Sequence, residues 1–192
     1  MNLKKQIREN WKKNFPRDTE WRREASRKVV DLVMNSSEFR SAEKIGIYSP
    51  FAWELDLTSL WQSRPTDCVF PKTYPDSMTL EFYHVRSLLE LKPGVLNILE
   101  PTASPDLKVT DWKSSDLLLI PGFGFDLLGA RVGGGKGYYD RFLSKMAVQP
   151  LRWAVCFQAQ VSKQPIPLES YDVRMNAICT EKEITVVSGG AH

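Results

Sequence analysis

"DLLLIPGFGFDLLGARVGGGKGYYDRFL", residues 116 to 143, decides how the rest of the chain is read. Residues 117–120 form a continuous apolar run of strand length, the pattern of a strand buried on both faces, and the run breaks at Pro121 and Gly122. Beyond the break, Gly129, Gly133, Gly134, Gly135 and Gly137 place five glycines in nine residues, with Lys136 among them. In a helix or strand each glycine costs roughly 0.5–1 kcal/mol relative to alanine, so the cluster reads as a loop that bends tightly or opens its amides to a ligand. A helix-capable stretch, residues 138–146, follows. Strand, glycine loop and helix in that order suit a phosphate group: freed N–H groups form an anion nest, the helix start adds unpaired donors, and Lys136 adds a mobile cation. The other reading of these residues is a tight structural turn with a solvated lysine. The standard nucleotide loops do not fit, because G-x-x-x-x-G-K-[ST] needs glycine at Ala130 and a hydroxyl at Gly137, and no G-x-G-x-x-G register is present.

The same texture extends outward from this junction. Short apolar, β-branched or aromatic runs stand at residues 45–48, 68–71, 80–85, 117–120, 153–157 and 184–187, with helix-capable stretches such as 57–62 and 138–146 between them. Alternation of this kind predicts an α/β fold: one compact domain over residues 1–188, with a mixed, largely parallel sheet flanked by helices and ligands beyond the carboxyl ends of the strands. Two helices precede it. Leu3, Ile7 and Trp11 recur every four residues as an apolar stripe, with Lys4, Arg8 and Lys12 as a neighbouring basic stripe, and Pro16 ends the pattern. A second helix begins at about Thr19, carries Trp21, Ala25, Val29, Leu32 and Val33, and breaks at Asn35, Ser36 and Ser37. Residues 189–192 carry no motif and are expected to be a flexible tail.

Composition narrows the function classes. The 192 residues are 42% hydrophobic and 26% charged, ordinary for a globular protein with one substantial core. A net charge of +3 is too small to argue for nucleic acid without a concentrated patch, and it is compatible with an anionic small substrate. No stretch approaches the roughly 20 apolar residues of a membrane span, and the N-terminal sequence lacks the apolar core of a secretory signal; a cytoplasmic location with no membrane partner is expected. Cys68, Cys156 and Cys179 are far apart and without a C-x-x-C pair, so they read as small core residues rather than disulfide or zinc ligands. His84 and His192 are the two histidines, too few for most Ser/His, Cys/His or multi-histidine metal designs.

The run from Pro121 to Leu143 closely resembles the signature of the 5-formyltetrahydrofolate cyclo-ligase family, also called 5,10-methenyltetrahydrofolate synthetases: a Pro-Gly turn, a Phe-Asp pair, an arginine before the glycine loop, and Gly-Tyr-Tyr-Asp followed by arginine. The resemblance continues more thinly along the chain. Lys4, Ile7 and Arg8 match the family's first helix; Glu54 in "FAWELDLTSL" stands where the family places a glutamate near folate; Glu100 and Pro101 match a Glu-Pro element; and Asp172 in "IPLESYDVRMNAICTE" matches a second metal-associated aspartate. Three departures stand out: Gly134 replaces a large or basic residue of several relatives, Tyr171 replaces a frequent histidine, and Asn176 a frequent aspartate.

This resemblance implies ATP-driven ring closure of 5-formyltetrahydrofolate, acting as a monomer on two small-molecule substrates. On the nucleotide side it implies Lys4, Arg8, Gly133, Gly134, Gly135, Lys136, Gly137, Tyr138, Tyr139 and Asp140, with Lys136, Arg131 and Tyr139 as the catalytic group. Mg²⁺ is implied at Asp140 and Asp172, since it takes few carboxylates together with phosphate oxygens and water. On the folate side it implies Glu54; side-chain chemistry suits Phe51, Trp53, Tyr74 and Met78 to an apolar slot for flat rings, the other reading of these four being core packing. Two competing readings are a catalytically inactive relative that binds folate or a phosphate ligand in another cofactor pathway, and a nucleic-acid module using the basic first helix with Trp11 and Trp21. The second lacks an RNA-binding signature and a basic, aromatic-interleaved surface.

Overall fold

The computed structural model describes residues 3–188; the expected tail at 189–192, with His192, lies outside them. Helix α1 spans Leu3–Asn14, α2 Thr19–Asn35 and α3 Ser37–Ser41. The Asp18 carboxylate caps α2 by accepting the N–H groups of Glu20 and Trp21 at 2.9 and 3.0 Å, and the Ser36 hydroxyl caps α3 through Phe39 N–H at 3.1 Å. Strand β1 (Ile45–Gly46), helix α4 (Thr58–Ser63) and strands β2 (Cys68–Tyr74) and β3 (Thr79–His84) follow, then a small hairpin of β4 (Lys92–Pro93) and β5 (Leu99–Glu100). The second half holds β6 (Leu117–Ile120), β7 (Gly124–Asp126), β8 (Arg131–Val132), α5 (Tyr138–Ser144), β9 (Leu151–Val155), β10 (Val161–Ser162), β11 (Ala177–Cys179) and β12 (Ile184–Val186).

Seven strands form one sheet in the order β12-β11-β9-β6-β1-β2-β3. The five inner strands are parallel, and β3 and β12 run antiparallel at the two edges. Side-chain alternation feeds two cores. Leu117 and Leu119, Trp153 and Val155, and Ala177 and Cys179 face the layer built by α1 to α4, whereas Leu118, Ile120, Ala154 and Ile178 face the layer that contains Leu143 of α5. Trp11 and Val29 bury against the first face, and Trp21 stacks on Phe157 with ring centroids 5.4 Å apart. The two tryptophans are thus tied to the core.

The mixed, largely parallel sheet and the two N-terminal helices agree with the sequence. Element lengths differ for local reasons. Strand β2 runs on through Pro71 to Tyr74, because β1 stops opposite Val69 and the open side beyond it tolerates a residue without an N–H. The three residues of β11 pair with both β9 and β12, yet three residues are too few to show a period in the sequence. The three cysteines are free and buried, and burial pushes the Cys68 and Cys179 thiols up to about 12, which leaves them un-ionised. Among the described residues, no helix is long and apolar enough to cross a membrane.

Candidate active site

From β1 the sheet order moves one way to β2, and from the adjacent β6 it moves the other way to β9 and β11. This reversal opens a crevice beyond the carboxyl ends of β1 and β6, where open α/β sheets hold their ligands. A cavity of about 670 Å³ occupies it, lined by Tyr48 and Ser49 after β1 and by Pro121, Gly122 and Phe123 after β6.

The glycine loop forms one wall. It leaves β8 at Val132 and enters α5 at Tyr138, with Gly135 at φ 91° and Gly137 at φ 66°, a left-handed backbone that side-chain-bearing residues adopt at a cost. Gly137 sits at the N-cap of α5, a helix of seven residues. Two arginines of the cavity wall pin the loop: Arg8 donates Nε to the Gly133 carbonyl at 2.7 Å, and Arg141 donates to the Lys136 carbonyl while its Nε reaches the Met78 carbonyl at 2.8 Å.

Charged groups gather beside this wall. Lys4 and Arg8, four residues apart on α1, share a helix face; the buried Lys4 ammonium pairs with the Asp172 carboxylate and lies 3.7 Å from Glu169. Asp172 also accepts the Glu169 N–H at 2.8 Å. Buried Arg131 donates Nη2 to Asp140 at 2.8 Å and stands over the Tyr139 ring at 5.5 Å, while its Nε–H is buried without an acceptor among the described residues. The other oxygen of Asp140 lies 3.5 Å from the N–H of Val173, which brings both aspartates into one corner.

The rest of the cavity lining is mostly apolar, with the carboxyl groups of Glu54 and buried Glu100 in it. Phe51, Met78, Leu80 and Ile98 are part of it. The Glu54 carboxylate accepts the Phe51 N–H at 3.0 Å, yet burial outweighs that bond and pushes its pKa up to about 7. Burial also raises the Tyr139 phenol, with the Glu54 charge adding to the rise and Arg131 opposing it, so the hydroxyl stays protonated.

The structure therefore brings most of the sequence-predicted residues to one cavity: Lys4, Arg8, Arg131, Gly133 to Asp140, Asp172, Glu54, Phe51 and Met78 all line it. Trp53 and Tyr74 are not among its lining residues. Trp53 stacks on Phe51 with centroids 4.6 Å apart and packs against the core, and the Tyr74 hydroxyl is bonded to that of Tyr83 at 2.7 Å. Sequence reasoning missed Ser49, whose buried hydroxyl has no partner among the described residues, and Glu169. The position of Ser49 just past a strand's carboxyl end was the available signal; nothing in the sequence marked Glu169.

The donor set tests the fit to Mg²⁺. No group of three or more His, Cys, Asp or Glu residues that could hold a metal is present among the described residues. Two aspartates in one corner beside the glycine loop are too few to enclose an ion but suit one that completes its shell with ligand oxygens and water. The unpaired Nε–H of Arg131 supplies a buried donor of the kind a phosphate oxygen satisfies.

Comparison with known proteins agrees with this architecture. The model of the 5-formyltetrahydrofolate cyclo-ligase family matches residues 1–181. The Saccharomyces cerevisiae 5-formyltetrahydrofolate cyclo-ligase is 38% identical over 109 residues, 52% of this chain and 49% of that protein, so the match spans about half of its length. The Escherichia coli K12 5-formyltetrahydrofolate cyclo-ligase is 26% identical over 174 residues, 86% of this chain and 92% of that one. The solution structure of Aquifex aeolicus 5,10-methenyltetrahydrofolate synthetase superposes with a TM-score of 0.81 at 30% identity, covering 99% of this chain and 95% of its own. With a family match over nearly its whole length and a shared fold, the chain belongs to the 5-formyltetrahydrofolate cyclo-ligase family.

Proposed function

We propose that the protein converts 5-formyltetrahydrofolate to 5,10-methenyltetrahydrofolate, with cleavage of ATP to ADP and a phosphate that carries away the formyl oxygen. The observation that carries this reading is a single cavity whose wall combines a glycine loop, buried cations and an apolar, carboxyl-bearing surface. That layout fits a polyanion meeting a flat, amide-bearing ring system. Donation from N5 into the formyl carbonyl leaves its carbon weakly electrophilic, so the oxygen must first become a leaving group. In the proposed sequence the formyl oxygen attacks the γ-phosphorus and ADP departs. N10 then bonds to the activated carbon and gives up its proton, and the carbon–oxygen bond breaks with loss of phosphate.

Such a transfer asks the protein for positioning and charge stabilisation. The amides of Gly133 to Gly137, with Lys136 and Arg8, would hold the phosphate chain, and Arg131 and Lys4 would meet the charge that moves during transfer. Asp140 and Asp172 would hold Mg²⁺, whose charge would offset that of the phosphate oxygens. Glu54 would accept from the N–H edge of the pterin, and Ser49 would add a hydroxyl, unpaired among the described residues, to the cavity wall.

The test is direct. Purified protein mixed with 5-formyltetrahydrofolate, Mg²⁺ and ATP should develop the near-ultraviolet absorbance of the methenyl product, and the no-ATP control should stay flat. Absence of product while folate still binds would overturn the reading in favour of an inactive relative.

A further inference from the structure

The two aspartates assigned to the metal are each paired with a cation assigned to the phosphates: Asp172 with Lys4, and Asp140 with Arg131. All four side chains are largely withdrawn from solvent. We infer that these pairs are the resting state of the site, and that nucleotide and divalent cation load by exchanging partners, with Glu169 as the positioning residue that retains Lys4 when Asp172 turns to the metal. The inference rests on the proposed function.

The argument is one of charge. A nucleotide arriving without metal meets Asp140 and Asp172 beside the very cations it needs, and in a partly buried corner that repulsion is weakly screened. A metal arriving alone meets Lys4 and Arg131 in the same way. When both arrive, each cation passes from its aspartate to a phosphate oxygen, with Lys4 still beside Glu169, each aspartate passes to the metal, and all four side chains keep a partner of opposite charge. Glu169 gives the exchange a track. Its Oε1 lies 3.7 Å from Lys4 Nζ, and its side chain is more exposed than that of Asp172, so it can follow the ammonium at little desolvation cost. The peptide N–H of the same residue bonds to Asp172, which links the two moves through one turn of chain.

The exchange makes an unusual prediction: neutralising a metal ligand should improve binding of metal-free ATP. Calorimetric titration of ATP in EDTA, and again in excess Mg²⁺, would be run on the unaltered protein and on Asp172→Asn and Asp140→Asn. Asparagine keeps the shape of each side chain, and its carbonyl can still accept the Glu169 N–H. Each variant should bind metal-free ATP about tenfold tighter or more than the unaltered protein, a change of about 1.4 kcal/mol, and should lose most of the gain from Mg²⁺. The converse variant, Lys4→Gln, should bind Mn²⁺ alone more tightly, read by paramagnetic resonance without nucleotide; it tests the same exchange if either aspartate variant fails to fold.

Metal-free ATP affinity unchanged or weakened in the folded aspartate variants, or Mn²⁺ affinity unchanged in Lys4→Gln, would overturn the exchange. If the unaltered protein binds Mg²⁺ with ATP and forms product while the variants behave that way, the exchange alone falls. Failure of the unaltered protein to bind ATP even with Mg²⁺ would overturn the functional reading, and the exchange with it.

Discussion

Asp126 Oδ2 accepts the backbone N–H of Ile166 at 2.6 Å, joining segments 40 residues apart. Its Oδ1 accepts the N–H groups of Leu128 and Ala130 at 3.0 and 2.9 Å, so one buried carboxylate holds the turn that leads from β7 into β8 and the glycine loop. Removing it strands the buried N–H groups of Ala130 and Ile166 and frees the part-buried one of Leu128. Asp126→Ala should destabilise the fold by on the order of 3–5 kcal/mol, seen as a lower thermal midpoint, and Asp126→Asn should recover part of the loss. A midpoint within a degree or two for the alanine variant would contradict this role.

Gly133 is required by proximity. A Cβ there would stand 2.5 Å from Nη1 of Arg131 and 3.2 Å from its Cζ. The end of that side chain can swing away, so Gly133→Ala should cost little stability but pull the guanidinium off Asp140. Turnover should fall by about tenfold or more, as when a positioned charge leaves the reacting group. Melting curves alongside steady-state rates separate this from simple unfolding.

Gly134 behaves differently, for a Cβ there would find only Phe123 Cε2 at 3.9 Å, and its φ is not in the left-handed region. The first carbon of a side chain at this position therefore meets only ordinary contact. Gly134→Lys should lower the ATP KM about threefold to tenfold through an added charge-assisted contact. Lys136→Ala should raise it by an order of magnitude or lower turnover equally, a contact of about 1.5–3 kcal/mol. Unchanged ATP kinetics in Lys136→Ala would remove the loop from the phosphate site.

Glu54 gives the pH dependence a sign. Its pKa in the folded protein is raised to about 7, so its share of stability is full below the ordinary carboxylate range and is lost as pH rises through 7. Glu54→Gln should therefore raise the thermal midpoint more at pH 8 than at pH 5, by an amount corresponding to about 1–3 kcal/mol after allowing for partial solvent contact. If the ionised form receives the pterin edge, folate KM should rise as pH falls through 7 in the unaltered protein and lose that dependence in the glutamine variant.

Much of this was legible in the sequence because the signals were local. The apolar run at 117–120 announced a doubly buried strand, and the glycines announced a loop that the structure places beside the reversal in strand order. Lys4 and Arg8 could be put on one helix face by spacing alone, yet their partners, Asp172 and Gly133, lie more than a hundred residues away and no local pattern names them. Trp53 and Tyr74 looked like slot residues because aromatic chemistry suits a flat ligand. Composition could not reveal that one is stacked against Phe51 and the other bonded to Tyr83. Glu169 was invisible for a related reason: an exposed glutamate reads as ordinary surface until a buried lysine is found beside it.

The Lys4–Asp172 pair spans 168 residues, which gives it a meaning for synthesis on the ribosome. At translation speeds of about 5–20 residues per second, α1 emerges roughly ten to thirty seconds before its partner carboxylate exists. Until then the ammonium of Lys4 has no Asp172 to close on, and the corner where phosphate and metal would meet cannot be assembled. The site is thus completed only after the chain has passed residue 172, and a nascent chain released early would carry the glycine loop without the corner that gives it a use.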